Sequence, residues 1–419
     1  TQRSTLFPYT TLFRSLVMLS TDRLTRMLPL AALLLLQLLA GAAQAQTFSV
    51  QCPAGTALHP AIVPSPNPAN YDTITKPLPR TDGKLNPTPA MANPGIKCQQ
   101  LSGGDGFATM ADGTQTYLFA FGPLSGLGDI VHGLPGTQRA SDFLQNNLTV
   151  SGGVLDAVKI GAPDSPTYSF NGAIGLVPDV QAVDGSVGNE LTGHVDPRLI
   201  MDVGVLNGNI PAPMIAIDEG DELFLTLTNV GQVMRPDLFE QHTVHFHGYP
   251  NASAFYDGVP DASLAINVGG SFTYYYLAPE AGTYMWHCHI SPPEHLQMGM
   301  VGQIYVRPRQ NTVTSGSSLR AALANAQQSD PLARCSSSDV LCSTQLPAID
   351  TGVTATAGKK YAYNDGDGST AYDVEYPIQM MGFDPNFHFV GMTFNPESFA
   401  DNKDKYFLLN GRSYPDTVN

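Results

Sequence analysis

The stretch GNIPAPMIAIDEGDELFLTLTN, residues 208–229, decides the reading of the fold. A proline-containing lead runs into a short apolar strand, an EGD turn and then strict alternation. In ELFLTLTN, Leu223, Leu225 and Leu227 share one face of an extended strand, and Phe224 and Thr226 share the other. Working outward, TQTYLFAFG (114–122), SFTYYYL (271–277) and GQIYVRP (302–308) have the same β-rich character. No helical repeat separates them, so the spacing predicts an all-β sandwich or barrel. Upstream, residues 46–102 hold ten prolines and read as an extended segment rather than a domain. Downstream, residues 311–358 are rich in Ser, Gln, Asn and Thr and read as a linker, with one helix expected in SLRAALANAQQ (318–328). Strand character restarts in YDVEYPIQMMGF (372–383) and continues through YFLLNGRSYPDTVN (406–419). Residues 359–419 are too few for a full sandwich, so they read as the first strands of a second β domain whose remainder lies beyond this sequence.

Composition narrows the function classes. The 419 residues carry 36 Asp and Glu against 21 Lys and Arg, a net charge of −15, which is unsuited to nucleic-acid phosphates. Hydrophobic residues make up 42%, enough to argue against global disorder. Residues 28–45, LPLAALLLLQLLAGAAQA, follow Arg23 and Arg26 and end on a small-residue cleavage site, the layout of a secretory signal peptide. The apolar run is short for a spanning helix, and export is the expectation. Residues 1–15, TQRSTLFPYTTLFRS, read as an artefactual leader. Export places the mature chain in an oxidising compartment, periplasmic or extracellular, where disulfides persist. The chain has five cysteines. Cys52 and Cys98 bracket the proline-rich stretch, and Cys335 and Cys342 bracket a serine-rich loop. Local pairing, 52 with 98 and 335 with 342, is the simplest of three connectivities. Cys288 is then left over.

Cys288 lies inside the chemistry. Six of ten histidines fall between 242 and 295. The first group is His242-Thr-Val-His245-Phe-His247-Gly248. The second is Trp286-His287-Cys288-His289, followed by His295, Met298 and Met300. On a strand, residues two apart point to one face, so His245 and His247 project together, as do His287 and His289, with Cys288 opposite. On neighbouring strands, four imidazoles would converge on one side and the thiolate would lie on the other, within reach of His242, His295 and a methionine. One Cys, two His and an axial Met is the blue-copper donor set. Zinc is the chemical alternative, but a closed zinc site usually shows paired knuckles, and the chain has no C-x2-C. His59, His132, His194 and His388 are isolated and read as structural or exposed.

HTVHFHG resembles the H-x-x-H-x-H-G motif of multicopper oxidases, and HCHISPPEHLQMGM resembles their H-C-H-x3-H-x4-M motif. NGNIPAPMIAIDEGDELFLTLTN, YDGVPD, GGSFTYYY and AGTYMWHCH add to the likeness, which is close over about 200–310. The resemblance implies a cupredoxin Greek-key β-sandwich, with one complete domain at 103–310 and the start of another at 359–419. It implies type 1 copper on His242, Cys288, His295 and Met300, with Met298 the competing axial residue. It further implies type 2 copper on His245 and a type 3 pair on His247, His287 and His289. Asp257, in YDGVPD, matches a position where the family often has Asp-Gly; it would help deliver protons, or serve as a turn residue before Gly258. Trp286 reads as packing.

Two departures qualify the likeness. Five residues separate His289 from His295, where three are usual, and the added Pro292-Pro293 resembles the copper nitrite reductases. Those typically carry Asp at the position of His245 and a small residue at that of His289, whereas both are His here, which favours oxygen reduction. A three-copper cluster in this family takes eight histidines, and this chain supplies four. The others would come from a further domain, a neighbouring subunit, or both. Type 1 ligands in the first domain resemble the two-domain enzymes that assemble as homotrimers with interfacial copper. The resemblance thus implies an exported oxidase that takes single electrons from a phenol, amine or metal ion and passes them across Cys288 to His287 and His289, reducing dioxygen to water. A copper nitrite reductase and a non-catalytic electron-transfer cupredoxin are the alternatives.

Overall fold

In the computed structural model, the described residues are 52–62, 92–126, 206–248, 253–278, 280–330, 345–391 and 399–418, with short stretches between 71 and 77 and between 129 and 155. The signal peptide, Cys335, Cys342, His132 and His194 lie outside them. The main strands are, in chain order, β1 (Ile96–Thr109), β2 (Gln115–Pro123), β3 (Ile215–Asp218), β4 (Glu222–Gly231), β5 (His245–Phe246), β6 (Ser271–Leu277), β7 (Gly282–His287), β8 (Val301–Arg307), β9 (Met380–Phe383) and β10 (Tyr406–Leu409). The helices are α1 (Pro292–Gln297), α2 (Leu319–Ser329) and α3 (Pro385–Gly391).

Two sheets make the sandwich. The first runs β6-β4-β1-β2 and the second β5-β7-β8-β3. β4 lies parallel to β1, and β3 lies parallel to β8, while the remaining pairings in these two sheets are antiparallel. This connectivity is that of an all-β cupredoxin sandwich. The alternation in β4 sets the core: Leu223, Leu225 and Leu227 are fully buried against Trp286, Ile304 and Val306 of the second sheet. Each such side chain stabilises the fold by roughly 2 kcal/mol through its removal from water. The opposite face of β4 is closed by cross-strand hydroxyl pairs, Thr226 with Thr273 and Thr228 with Ser271, both at 2.8 Å.

β1 begins at Ile96, so the expected boundary at 102 falls inside a strand. Lys97 and Gln99 are buried together with Ile96, Cys98 and Leu101, so the pattern that marks a half-exposed strand is missing there. The proline-rich lead is tied to this strand by the Cys52–Cys98 disulfide. It is also tied through Glu222, which accepts from the Thr56 hydroxyl, from His59 Nδ1 at 2.8 Å and from the Tyr275 hydroxyl at 2.8 Å. Helix α2 is capped by the Ser318 hydroxyl, which accepts from the Ala321 N–H. Leu319, Ala355 and Tyr361 form a small cluster of their own, so part of the expected linker is folded. β9 and β10 make a hairpin whose Phe383 and Leu408 pack against Ala108, Leu118, Ala120 and Ile210. No helix among the described residues is long and apolar enough to cross a membrane.

Candidate metal centre

Three elements bring the first donor group together. His242 precedes β5 and is held by a two-way backbone bridge to Ile266, at 3.1 and 2.9 Å. Cys288 follows the last residue of β7, and its N–H donates to the Met300 carbonyl at 3.1 Å. His295 comes from α1. Pro292 and Pro293 occupy the first turn of that helix, where no intrahelical donor is needed. Ser291 takes a left-handed φ of 37° to turn the chain into it. The insertion after His289 is thus a helical arm that returns His295 to the interior.

His242, Cys288, His295, Met298 and Met300 are all fully buried. The donor atoms of His242, Cys288 and His295 lie within 4.8 Å of one another. His295 Nδ1 is 3.3 Å from Cys288 Sγ, and the Thr243 N–H donates to the same sulfur at 3.4 Å. Both ring nitrogens of His242 are buried without a hydrogen-bond partner. A buried polar atom with no partner carries its full desolvation cost, and ligation of a metal by one of them would remove that cost there. Burial, together with His295, pushes the His242 pKa well down, which keeps the ring in the neutral form that ligates metal. Burial also opposes protonation of His295, but the Cys288 sulfur and Glu240 outweigh it and push its pKa up to about 9. Cys288 Sγ and Glu240 thus favour positive charge at the His295 ring. A thiolate, two imidazoles and thioethers are soft donors suited to copper. Met298 and Met300 both lie in the same core cluster as Cys288.

The second group forms where β5 meets β7, with His245 directly opposite His287. Donor atoms of His245, His247 and His287 lie within 4.8 Å of one another. The strand periodicity expected for these residues holds only in part. β5 is two residues long, and His247 and His289 lie beyond strand ends. The rings still converge: His245 and His289 are 5.0 Å apart by centroid, and His287 and His289 are 5.7 Å apart. His247 Nε2 faces His287 Nε2 at 2.9 Å. A carbonyl can only accept, so His287 Nδ1 donates to the Cys288 carbonyl and His245 Nδ1 donates to the Asp257 carbonyl, both at 2.7 Å. These bonds fix the tautomers and leave each Nε2 unprotonated, that of His287 accepting from His247 Nε2–H, the tautomer metal-binding histidines usually have. Burial, with a smaller contribution from neighbouring imidazoles, lowers the His287 pKa to about 4. The Asp257 carboxylate Oδ2 lies 3.5 Å from His245 Nδ1.

Of the histidines singled out in the two motifs, all but His289 enter one donor group or the other, and His289 lies beside the second group by its ring. Four neighbours were not singled out from the sequence. Thr243 touches both groups, because its hydroxyl also accepts from the His289 N–H at 2.9 Å. Glu240 Oε2 lies 3.6 Å from His295 Nε2. Phe119 places its ring 5.0 Å from that of His295. His388, read as isolated, is fully buried nearby in α3. Only Thr243 carried a signal, since it sits between motif histidines; the others depend on tertiary packing. Trp286 packs as expected, stacked on Phe121 at 4.8 Å.

With two donor groups on either side of Cys288, in an all-β sandwich, the class is a cupredoxin-fold copper protein. Residues 193–311 match the family model described as multicopper oxidase. It is similar to laccase abr2 of Aspergillus fumigatus, 35% identical over 108 residues, which are 25% of this chain and 17% of that protein. It is also similar to multicopper oxidase MmcO of Mycobacterium tuberculosis, 32% identical over 136 residues, 30% of this chain and 25% of that one. Copper resistance protein A of Pseudomonas syringae pv. tomato is 29% identical over 156 residues, 36% of this chain and 23% of that protein. The matched regions thus span a quarter or less of each of these relatives.

Proposed function

We propose that this chain carries the electron-accepting copper site and half of the oxygen-reducing copper cluster of an exported multicopper oxidase. The observation that supports it most is the covalent adjacency of the two donor groups. Cys288 belongs to the first, His287 and His289 belong to the second, and the His287 ring is hydrogen-bonded to the Cys288 carbonyl. On this reading His242, Cys288, His295 and Met300 hold type 1 copper, His245 holds type 2 copper, and His247, His287 and His289 hold their share of the type 3 pair. Copper bound there would supply one-electron redox chemistry at the thiolate site and four-electron reduction of dioxygen to water at the cluster.

The residues of this chain do the rest. Cys288 and His287 form a short bonded path between the groups. Thr243 braces that path from both sides, through its N–H to sulfur and its hydroxyl to the His289 backbone. The Thr243 N–H on the sulfur stabilises its negative charge and so helps set the site's potential. Asp257 orients His245 through its carbonyl and presents a carboxylate beside it for proton delivery. The electron donor is a phenol, an amine or a metal ion. The remaining cluster histidines belong to a further cupredoxin domain begun at 359–419, or to a neighbouring subunit in a homotrimer.

The copper-loaded full-length protein should consume dioxygen when given a one-electron phenolic donor, and His287→Ala should abolish that uptake while leaving the thiolate–copper absorption. Nitric oxide release from nitrite under anoxic conditions, with no oxygen uptake in air, would assign the site to nitrite reduction instead.

A further inference from the structure

His388 was read from sequence as an unconnected histidine, yet it lies fully buried between the two elements that shape the surroundings of His295. Its Nδ1 donates at 2.7 Å to the backbone carbonyl of Tyr117. Tyr117 lies in β2, the edge strand of the first sheet, two residues before Phe119. Phe119 sets its ring 5.0 Å from that of His295 and 6.3 Å from that of His242. The backbone carbonyl of Gln297, the last residue of α1, also faces the His388 ring, while Nε2 has no formed hydrogen bond. Gln297 is two residues beyond His295. The ring is fixed from one side by Phe383, stacked at 4.0 Å, and α3 is preceded by Asp384, whose carboxylate accepts from the Asn386 N–H at 2.9 Å and the Lys403 N–H at 2.8 Å. The preceding residue, Phe387, is buried in the same core cluster as Cys288, Met298 and Met300.

We propose that His388 is a positioning residue for the first copper site, a bolt from the C-terminal segment that holds β2 and α1 at the separation His295 needs. The proposal rests on the reading of His242, Cys288 and His295 as a copper site. It goes beyond that reading by making residues 384–388 part of the site's support. Removing the ring leaves the Tyr117 carbonyl on a buried strand edge without its donor, and it frees the end of α1 to shift. His295 then moves relative to Cys288 Sγ, and the packing that shields the sulfur loosens.

The test uses the full chain in two forms. In the copper-free protein, the rate at which a thiol reagent labels Cys288, read by peptide mass spectrometry, should rise about tenfold in His388→Leu, the change that ~1.4 kcal/mol of lost hydrogen bonding converts to. His388→Asn, which keeps a donor for the Tyr117 carbonyl, should bring the rate most of the way back. In the Cu(II)-loaded protein, the thiolate-to-copper band should shift in His388→Leu and return toward the parent position in His388→Asn. Should the Leu variant not fold, nitrogen-15 histidine spectra of the parent decide, because the His388 ring signals should move when Cu(I) is added. Parent-like labelling and absorption in His388→Leu, or His388 signals unmoved by Cu(I), would overturn the proposal. A parent chain that binds no copper would remove the copper-site reading, while the labelling comparison would still report on His388.

Discussion

Cys288 is the residue on which both donor groups depend. Its sulfur faces His295 and accepts from Thr243, and its carbonyl holds the ring of His287. An odd cysteine in an exported chain reads first as a loose thiol; here it is fully buried and is the only free cysteine among the described residues. The buried histidines also give the copper-free protein a pH signature. Burial lowers the His388 pKa to about 4, below its ordinary value of 6.5, and His242 is pushed the same way. The unfolded chain therefore takes up protons first as pH falls. This stability is full above about pH 6.5 and is lost progressively toward pH 4, with His388 alone accounting for about 3 kcal/mol. His295, pushed up to about 9, works oppositely: its contribution is full below about pH 6.5 and is lost as pH rises through 9. Urea unfolding of the copper-free parent at pH 7 and pH 5 should show a lower midpoint at pH 5. His388→Asn, which has nothing to titrate at that position, should show a smaller drop; an equal drop would remove His388 from this account.

At the scale of elements, the site depends on how closely β1 approaches the ligands. A Cβ on Gly103 would lie 2.8 Å from Cδ2 of His242, a ring closed in on its other side by Phe119 and His295. Gly103→Ala should destabilise the fold by about 1–3 kcal/mol, the usual cost of overpacking, and should weaken copper binding by displacing His242. A copper affinity equal to the parent's, measured by competitive titration, would show that the ring can move freely. The same scale shows what was legible beforehand. β4 and β6 could be read because Leu223, Leu225 and Leu227 alternate and SFTYYYL is a dense run of β-formers. The motif histidines were legible from spacing and residue type alone. Helix α1 was not, because Pro292-Pro293 looks like a loop until the proline tolerance of a first helical turn is applied. β5 was overestimated, since its two residues pair only where His245 meets His287. Phe119 and His388 lie far from the motifs in sequence and meet the site only through packing, and Glu240, two residues before His242, faces His295 from the other motif, which no local pattern records.

At the scale of the molecule, the sandwich separates two donor sets that share one backbone segment. One is fully buried; the other includes exposed His247 and partly buried His245. That contrast fits a closed site for electrons beside an open site that needs further ligands. The segment after 311 is more than a tether: its hairpin and α3 pack onto β1 and β2, and Phe387 reaches the core around Cys288. The most direct test of the central claim is a copper titration of the full chain followed by visible absorption, with Cys288→Ser as the paired variant. The account predicts an intense thiolate-to-copper band that saturates at one equivalent of the first site and is absent from the folded Cys288→Ser protein. A folded, copper-loaded parent with no such band, or a band that survives in Cys288→Ser, would contradict it.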